Sequence, residues 1–143
     1  MTRVRFYSGA ADKLRTACQL SHKAMQNGMR VVLHTPDEDT AGALDKLLWN
    51  YPATAFLPHC RSHEPDAANM PVVLDTRGTS FPHSEMLISL HTGCLPFFSR
   101  FEHVIEIVGL DEEDVRRGRE RFGFYRDRGY EIVHFDLRQN GAA

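Results

Sequence analysis

Arg3-Val-Arg-Phe-Tyr-Ser-Gly-Ala-Ala-Asp-Lys-Leu-Arg-Thr-Ala-Cys-Gln-Leu-Ser-His-Lys-Ala-Met-Gln-Asn-Gly-Met-Arg-Val-Val-Leu-His34 is the stretch that decides the fold. Arg3 to Tyr7 reads as a first strand and Ser8-Gly9 as the turn after it. From Asp12 to Gln26 the pattern changes to a helical period, with Leu14, Ala17, Cys18, Ser21 and Met25 on one face. Asn27-Gly28 is a helix stop. Arg30 to His34 is a short, valine-rich run of the kind that is buried in a sheet. A strand, a helical crossover and a second strand imply parallel pairing, because a crossover of this length cannot serve a hairpin.

The same grammar continues. A second helix is expected over Thr40 to Asn50, after the acidic turn Pro36-Asp-Glu-Asp39, with Leu44, Leu47, Leu48 and Tyr51 as its core stripe. Phe56-Leu-Pro-His59 reads as an irregular or extended piece, and His59 to Asn69 as a polar surface loop. Val72 to Leu74 and Met86 to Leu90 are further strands, separated by the turn-rich Arg77-Gly-Thr-Ser-Phe-Pro82. A short helix is expected over Pro96 to Phe101 and a strand over Val104 to Val108. A helix then covers Asp111 to Arg128, and Tyr130 to Leu137 closes as the last strand. No repeat, low-complexity tract or linker divides the 143 residues. The expectation is one α/β domain over 1–143: a mostly parallel central sheet with helices on both faces, a Rossmann-like three-layer sandwich.

Composition narrows the function classes. A hydrophobic content of 42% with 25% charged residues suits a globular chain, and a net charge of −2 gives no global case for nucleic acid or an anionic membrane. Cys18, Cys60 and Cys94 are an odd number without framework spacing, which fits reduced thiols. The start, Met-Thr-Arg-Val-Arg-Phe-Tyr, lacks the apolar core of a signal peptide, and no apolar run approaches a membrane span. The expected compartment is the cytoplasm.

Chemistry-bearing motifs are few. The chain has neither G-x-x-x-x-G-K-[ST] nor G-x-G-x-x-G, and the first strand runs into Ser8-Gly9 with Asp12 where a phosphate would sit. Cys60-x-x-His63 and His91-x-x-Cys94 together supply four ligands of the right type for zinc, but as mirror-image pairs rather than Cys-x-x-Cys pairs. They read as two unrelated thiols and two surface histidines. No G-x-S-x-G elbow is present, and Ser89 and Cys94 have no recognisable activating context. Asp75, Glu85 and Glu106 lie on or beside strands, where carboxylates more often cap or pair than catalyse. A metal- or nucleotide-dependent small α/β enzyme therefore stands only as the alternative, and no cofactor is expected.

Two surfaces remain. Asp111 to Tyr130 opens with four acids and carries six arginines from Arg116 to Arg128, an orientation that matches the helix macrodipole. At 100° per residue, Val115, Gly118, Phe122 and Tyr125 share a stripe, with Arg119 and Arg126 along one margin and Arg116 just beyond. An apolar groove edged by guanidinium groups suits a greasy ligand that carries a carboxylate. The other surface is Trp49, well over 90° from the centre of its helix's stripe and close to Phe56, Leu57, Pro58 and His59. Either it is an exposed interface residue or it packs beneath the Phe56 to Cys60 segment.

Val4-Arg-Phe-Tyr7, Leu44-Asp-Lys-Leu-Leu-Trp49, Phe56-Leu-Pro-His59, Glu85-Met-Leu-Ile-Ser-Leu90 and Arg119-x-Arg-Phe-x-x-Tyr-Arg-x-x-Gly129 occur in this order along the chain. In order and spacing they resemble the chi subunit of the bacterial DNA polymerase III holoenzyme. The resemblance covers residue 4 to about 135 and rests on the collinear set, since no single motif is highly specific. It implies a non-enzymatic adaptor of the clamp-loader assembly that works in DNA replication and meets DNA only indirectly. Two partners are implied: the psi subunit, and the acidic, phenylalanine-ended C-terminal tail of single-stranded DNA-binding protein. Carried over residue by residue, Trp49, Phe56 and His59 correspond to the psi-facing surface. Val108, Arg119 and Phe122 correspond to the tail pocket, with Arg116 and Ile132 as neighbours. Phe122 stands where the family has a familiar tyrosine, and Val115 near where a lysine is expected.

Overall fold

In the computed structural model, which describes residues 2–50, 58–79 and 81–138, the opening stretch folds as strand, helix, strand. The elements are β1 (Arg3–Ala10), α1 (Lys13–Gln26), β2 (Val31–His34), α2 (Glu38–Asn50), β3 (His59–Arg61), β4 (Val72–Asp75), β5 (Met86–Ser89), β6 (His103–Gly109), α3 (Glu112–Asp127) and β7 (Ile132–Asp136). The seven strands form one sheet in the order β3-β4-β2-β5-β6-β1-β7. Every pairing is parallel. The sheet expected to be mostly parallel is parallel throughout.

Local chemistry explains the boundaries. Asp12 stands outside α1 as its N-cap, its carboxylate accepting the Arg15 N–H at 3.1 Å. Asp111 does the same for α3, accepting from Glu113 and Asp114. Helix α2 begins two residues earlier than Thr40, because Asp37 receives the Thr40 N–H at 2.7 Å and closes the first turn ahead of it. The polar segment after His59 is not all loop. His59–Arg61 pairs with β4 as an edge strand, and Ala67–Asn69 forms a 3-10 turn. Three residues, His-Cys-Arg, are too short and too polar to show a strand period.

The layers follow from alternation along the strands. Leu33, Leu74, Ile88, Ile105 and Ile107 face α1 and α2, where Ala17, Cys18, Leu44 and Leu48 meet them. Val4, Phe6, Val32, Leu87, Val104 and Val108 face the other way, toward α3 and the 3-10 turn Phe98–Arg100. That turn takes the place of the short helix expected over Pro96 to Phe101. Strands β2, β4 and β5 are buried along their whole length, as expected of parallel strands covered on both sides. Among the described residues, no helix is long and apolar enough to cross a membrane.

One asymmetry shapes the surface. Helix α3 lies over β6 and β1, with Phe6 meeting Phe122 and Tyr125 edge to face at 5.3 and 6.0 Å. Strand β7 extends the sheet one strand further, and its residues His134 and Asp136 lie beside α3 rather than beneath it. The step between helix and outermost strand is a groove. It opens at the C-terminal ends of β1 and β6, where connections leave toward opposite sheet faces, and open parallel sheets bind ligands at such points.

Candidate groove between α3 and the last strand

Phe6 and Val108 form the floor of the step, Val115, Gly118 and Phe122 the α3 wall, and Ser8, His134 and Asp136 the far side; Arg119 stands on the rim, and the enclosed space is about 400 Å³. Gly118 lets the helix approach. A Cβ at this position would lie 2.7 Å from Val108 Cγ2, so only glycine fits without displacing the floor. Gly109 serves the same junction: its N–H donates to Asp114 at 2.6 Å, and Lys13 reaches that carboxylate at 3.1 Å, tying the start of α3 to the end of β6 and to α1.

The buried line of α3 differs from the expected stripe. Its fully buried residues are Gly118, Arg121 and Tyr125, so the line passes through Arg121 and not through Phe122. The cause is Glu106, which β6 points into the α3 face of the core. Arg121 Nε donates to Glu106 Oε1 at 2.9 Å, and the Tyr125 hydroxyl donates to Oε2 at 2.7 Å. A second Arg121 nitrogen donates to the Thr92 carbonyl at 2.7 Å. Burial pushes the Glu106 carboxyl upward in pKa, against the opposing pull of Arg121 and Tyr125. With Arg121 centred on the sheet, Val115 and Phe122 turn to the margin, half-buried, as walls of the groove.

The arginines divide into different roles. Arg119 is exposed on the groove rim and makes no hydrogen bond or ion pair among the described residues. Arg116 lies outside the groove and is held by Glu113 and Glu120. Its guanidinium draws the Glu113 carboxyl down to about 2. Arg117 also pairs with Glu113, at 3.0 Å. Arg126 pairs with Asp127, and Arg128 stacks over the Phe124 ring at 3.7 Å. Ile132 is half-buried against the α3-side core, in register with Val4, and does not line the groove. Of the residues assigned to the tail pocket, the structure therefore brings together Val108, Arg119 and Phe122, joined by Val115, while Arg116 and Ile132 stand apart from them. Arg121 and the Ser8, His134 and Asp136 side were missed from the sequence.

The second surface lies at the opposite end of the sheet. Trp49 is 57% exposed, and its ring lies 4.6 Å from the His59 ring. His59 is buried, with Nε2 3.0 Å from Asp45 Oδ1 of α2. The indole is therefore more than half exposed, with the imidazole of His59 against it. Phe56, Leu57 and Tyr51 lie outside the described residues.

The remaining candidates for chemistry are occupied structurally. Asp75 lies 2.8 Å from His34 Nδ1 and accepts from the Ser62 hydroxyl at 2.8 Å and the Gly78 N–H at 2.9 Å. Glu85 holds the Arg30 backbone and side chain. Cys60 and His63 belong to the β3 edge and the turn after it, whereas His91 and Cys94 follow β5. Among the described residues no group of three or more His, Cys, Asp or Glu is arranged to hold a metal ion. Burial raises the Cys60 and Cys94 thiols and takes the Cys18 thiol up to about 12, so none is poised as a thiolate.

Comparison with known proteins adds two findings. Residues 1–133 match the family model described as DNA polymerase III chi subunit, HolC. The chain is 36% identical over 137 residues to the DNA polymerase III subunit chi of Pseudomonas aeruginosa, covering 92% of this chain and 94% of that protein. It is 30% identical over 116 residues to the subunit of the same name from Escherichia coli, covering 80% and 79%.

Proposed function

Because this chain belongs to the family of the DNA polymerase III chi subunit, we propose that it acts as a non-catalytic adaptor of the clamp-loader assembly in DNA replication. In this reading it joins the psi subunit through the Trp49 surface and takes the acidic, Phe-ended tail of single-stranded DNA-binding protein in the groove beside α3.

The observation that carries the tail assignment is the pairing of an apolar, half-buried step with one uncommitted guanidinium at its rim. Phe6, Val108, Val115 and Phe122 offer a seat for an aromatic ring. Arg119 offers two parallel donors to the α-carboxylate of the same residue, a geometry that lysine does not reproduce. A ring and a carboxylate on one residue are what the C-terminal phenylalanine implied by the family resemblance would bring to this groove.

The test is the anisotropy of a fluorescein-labelled acidic peptide that ends in a free phenylalanine. Losing a hydrogen bond to a charged group costs about 1.5–3 kcal/mol, so Arg119→Ala should weaken binding by roughly 10-fold to 100-fold. Its thermal unfolding should match wild type, since the side chain is exposed. Wild-type affinity in Arg119→Ala would refute the groove as the tail site.

A further inference from the structure

We infer that His134 is a second anion-binding side chain of the α3 groove. Its imidazolium takes the acidic side chain that precedes the terminal phenylalanine, so the groove holds the tail more tightly as pH falls from 8 to 6. This rests on the tail reading above and adds to it the residue that meets the second acid.

The charged and titratable groups among the described lining residues are Arg119 from α3, His134 and Asp136 from β7, and Arg138 just after it. The lining residues from β1 and β6 carry no charge. Elsewhere on α3, Arg126 is paired with Asp127, and Arg116 with Glu113 and Glu120. Asp136 and Arg138 are joined to each other: Asp136 accepts the Arg138 backbone N–H at 3.0 Å and its Nε at 3.4 Å, and the Asp136 side chain is only 16% exposed. As a pair they bring no net charge to the groove. Arg119 is the cation already given to the terminal carboxylate. His134 remains, exposed on the opposite rim.

The partner that His134 does have leaves its charge intact. Nε2 lies 2.7 Å from the Ser8 hydroxyl, and Nδ1 makes no hydrogen bond among the described residues. A hydroxyl serves the ring in either state, donating to the bare nitrogen of neutral imidazole and accepting from the N–H of imidazolium. Serine carries no charge, so it does not cancel the imidazolium as Glu113 cancels Arg116. It holds the ring by one nitrogen and leaves the other to donate to a ligand.

The peptide's own geometry brings an acid to this place. A phenylalanine seated on Phe6 and Val108 has its α-carboxylate and its amide on opposite sides of its Cα. With the carboxylate on Arg119 at the α3 rim, the chain leaves over the β7 rim, past His134. An acid beside the ring favours the protonated form, so binding the acid and taking up the proton reinforce each other. The peptide's carboxylates stay ionised from pH 6 to 8, where imidazole is the side chain that changes charge.

The experiment measures anisotropy at pH 6, 7 and 8, at constant ionic strength, with the full chain. Two labelled Phe-ended peptides are used, differing only in aspartate or asparagine before the phenylalanine. An exposed ion pair is worth a few-fold in affinity, so the aspartate peptide should bind wild type about three- to fivefold more tightly at pH 6 than at pH 8. His134→Gln, which keeps a partner for Ser8 but cannot charge, should lose that gain and match wild type at pH 8. Other titrating groups contribute equally to both proteins, so the difference between them isolates the ring. With the asparagine peptide the two proteins should not differ. Equal slopes for the two proteins with the aspartate peptide, or an equal difference with asparagine, would overturn the assignment. If that happens while Arg119→Ala still weakens both peptides, the α3 groove stands without His134. If neither peptide binds wild type at any pH, the tail reading and this extension fall together.

Discussion

Gly118 sits where α3 comes closest to the sheet, and its lack of a side chain sets the depth of the groove. Alanine would gain helix propensity, about 1 kcal/mol at most, but its Cβ would stand 2.7 Å from Val108 Cγ2. Overpacking of this kind costs about 1–3 kcal/mol, and the displaced groups are the floor and wall of the proposed ring seat. Gly118→Ala should therefore lower the urea midpoint modestly and weaken the Phe-ended peptide, with both effects visible in the same preparation. Unchanged peptide affinity would show that Val108 does not touch the ring. The neighbouring Arg121 marks the limit of what periodicity can read. Six arginines on one helix look alike in the sequence, and only the pairing of Glu106 with α3 across the core separates Arg121 from the solvated ones. Its spacing of three from Gly118 and four from Tyr125 is the helical signal that was available. An arginine on a core stripe argues against burial until a buried carboxylate is known to face it.

At the scale of elements, the helix stop and the crossover were legible because their chemistry is local. Asn27-Gly28 acts within a turn of its own position and the α1 crossover argues for parallel pairing by its length, whereas Asp12 and Asp111, read as the first residues of their helices, stand outside them as caps. The groove was only half legible. Its α3 wall shows as a stripe of Val115 and Phe122, but its far side depends on β7 lying beside β1 at the edge of the sheet, a long-range fact. Helix α2 supports a separate prediction. Trp49 stands off the buried Ala41, Leu44 and Leu48 line, so Trp49→Ala removes a largely exposed side chain, its contact with the His59 ring among others, without opening that line. Stability should change by less than about 1 kcal/mol, while binding of the psi subunit in a pull-down should be lost and affinity for the tail peptide retained. Loss of both activities would instead indicate that the two ends of the sheet are not independent.

Across the whole molecule, two aspartates, Asp75 buried and Asp114 half-buried, link neighbouring elements, and both make the fold sensitive to acid. Asp75 joins β2, β4, the Ser62 turn and the Gly78 turn; Asp114 joins α3, β6 and α1. For each, burial alone would raise the carboxyl pKa, but the donors outweigh it and leave the group below its usual 3.8. A depressed carboxylate stabilises fully above the unfolded value and loses that contribution as pH falls through the folded one. Other groups titrate on the same path. Burial holds His83, His91 and His103 below 6.5, so stability already falls as pH drops past that value, while Glu106, raised by burial, works in the opposite direction. Comparing wild type with Asp75→Asn cancels these background groups. The variant should be less stable by about 2 kcal/mol near neutral pH, the scale of hydrogen bonds made to a charged group. That difference should stay constant down to about pH 5 and shrink below about pH 4 as the wild-type carboxylate takes up its proton. Urea midpoints measured for both proteins across this range decide it. A gap that persists unchanged in strong acid would mean that Asp75 contributes through shape and not through its charge.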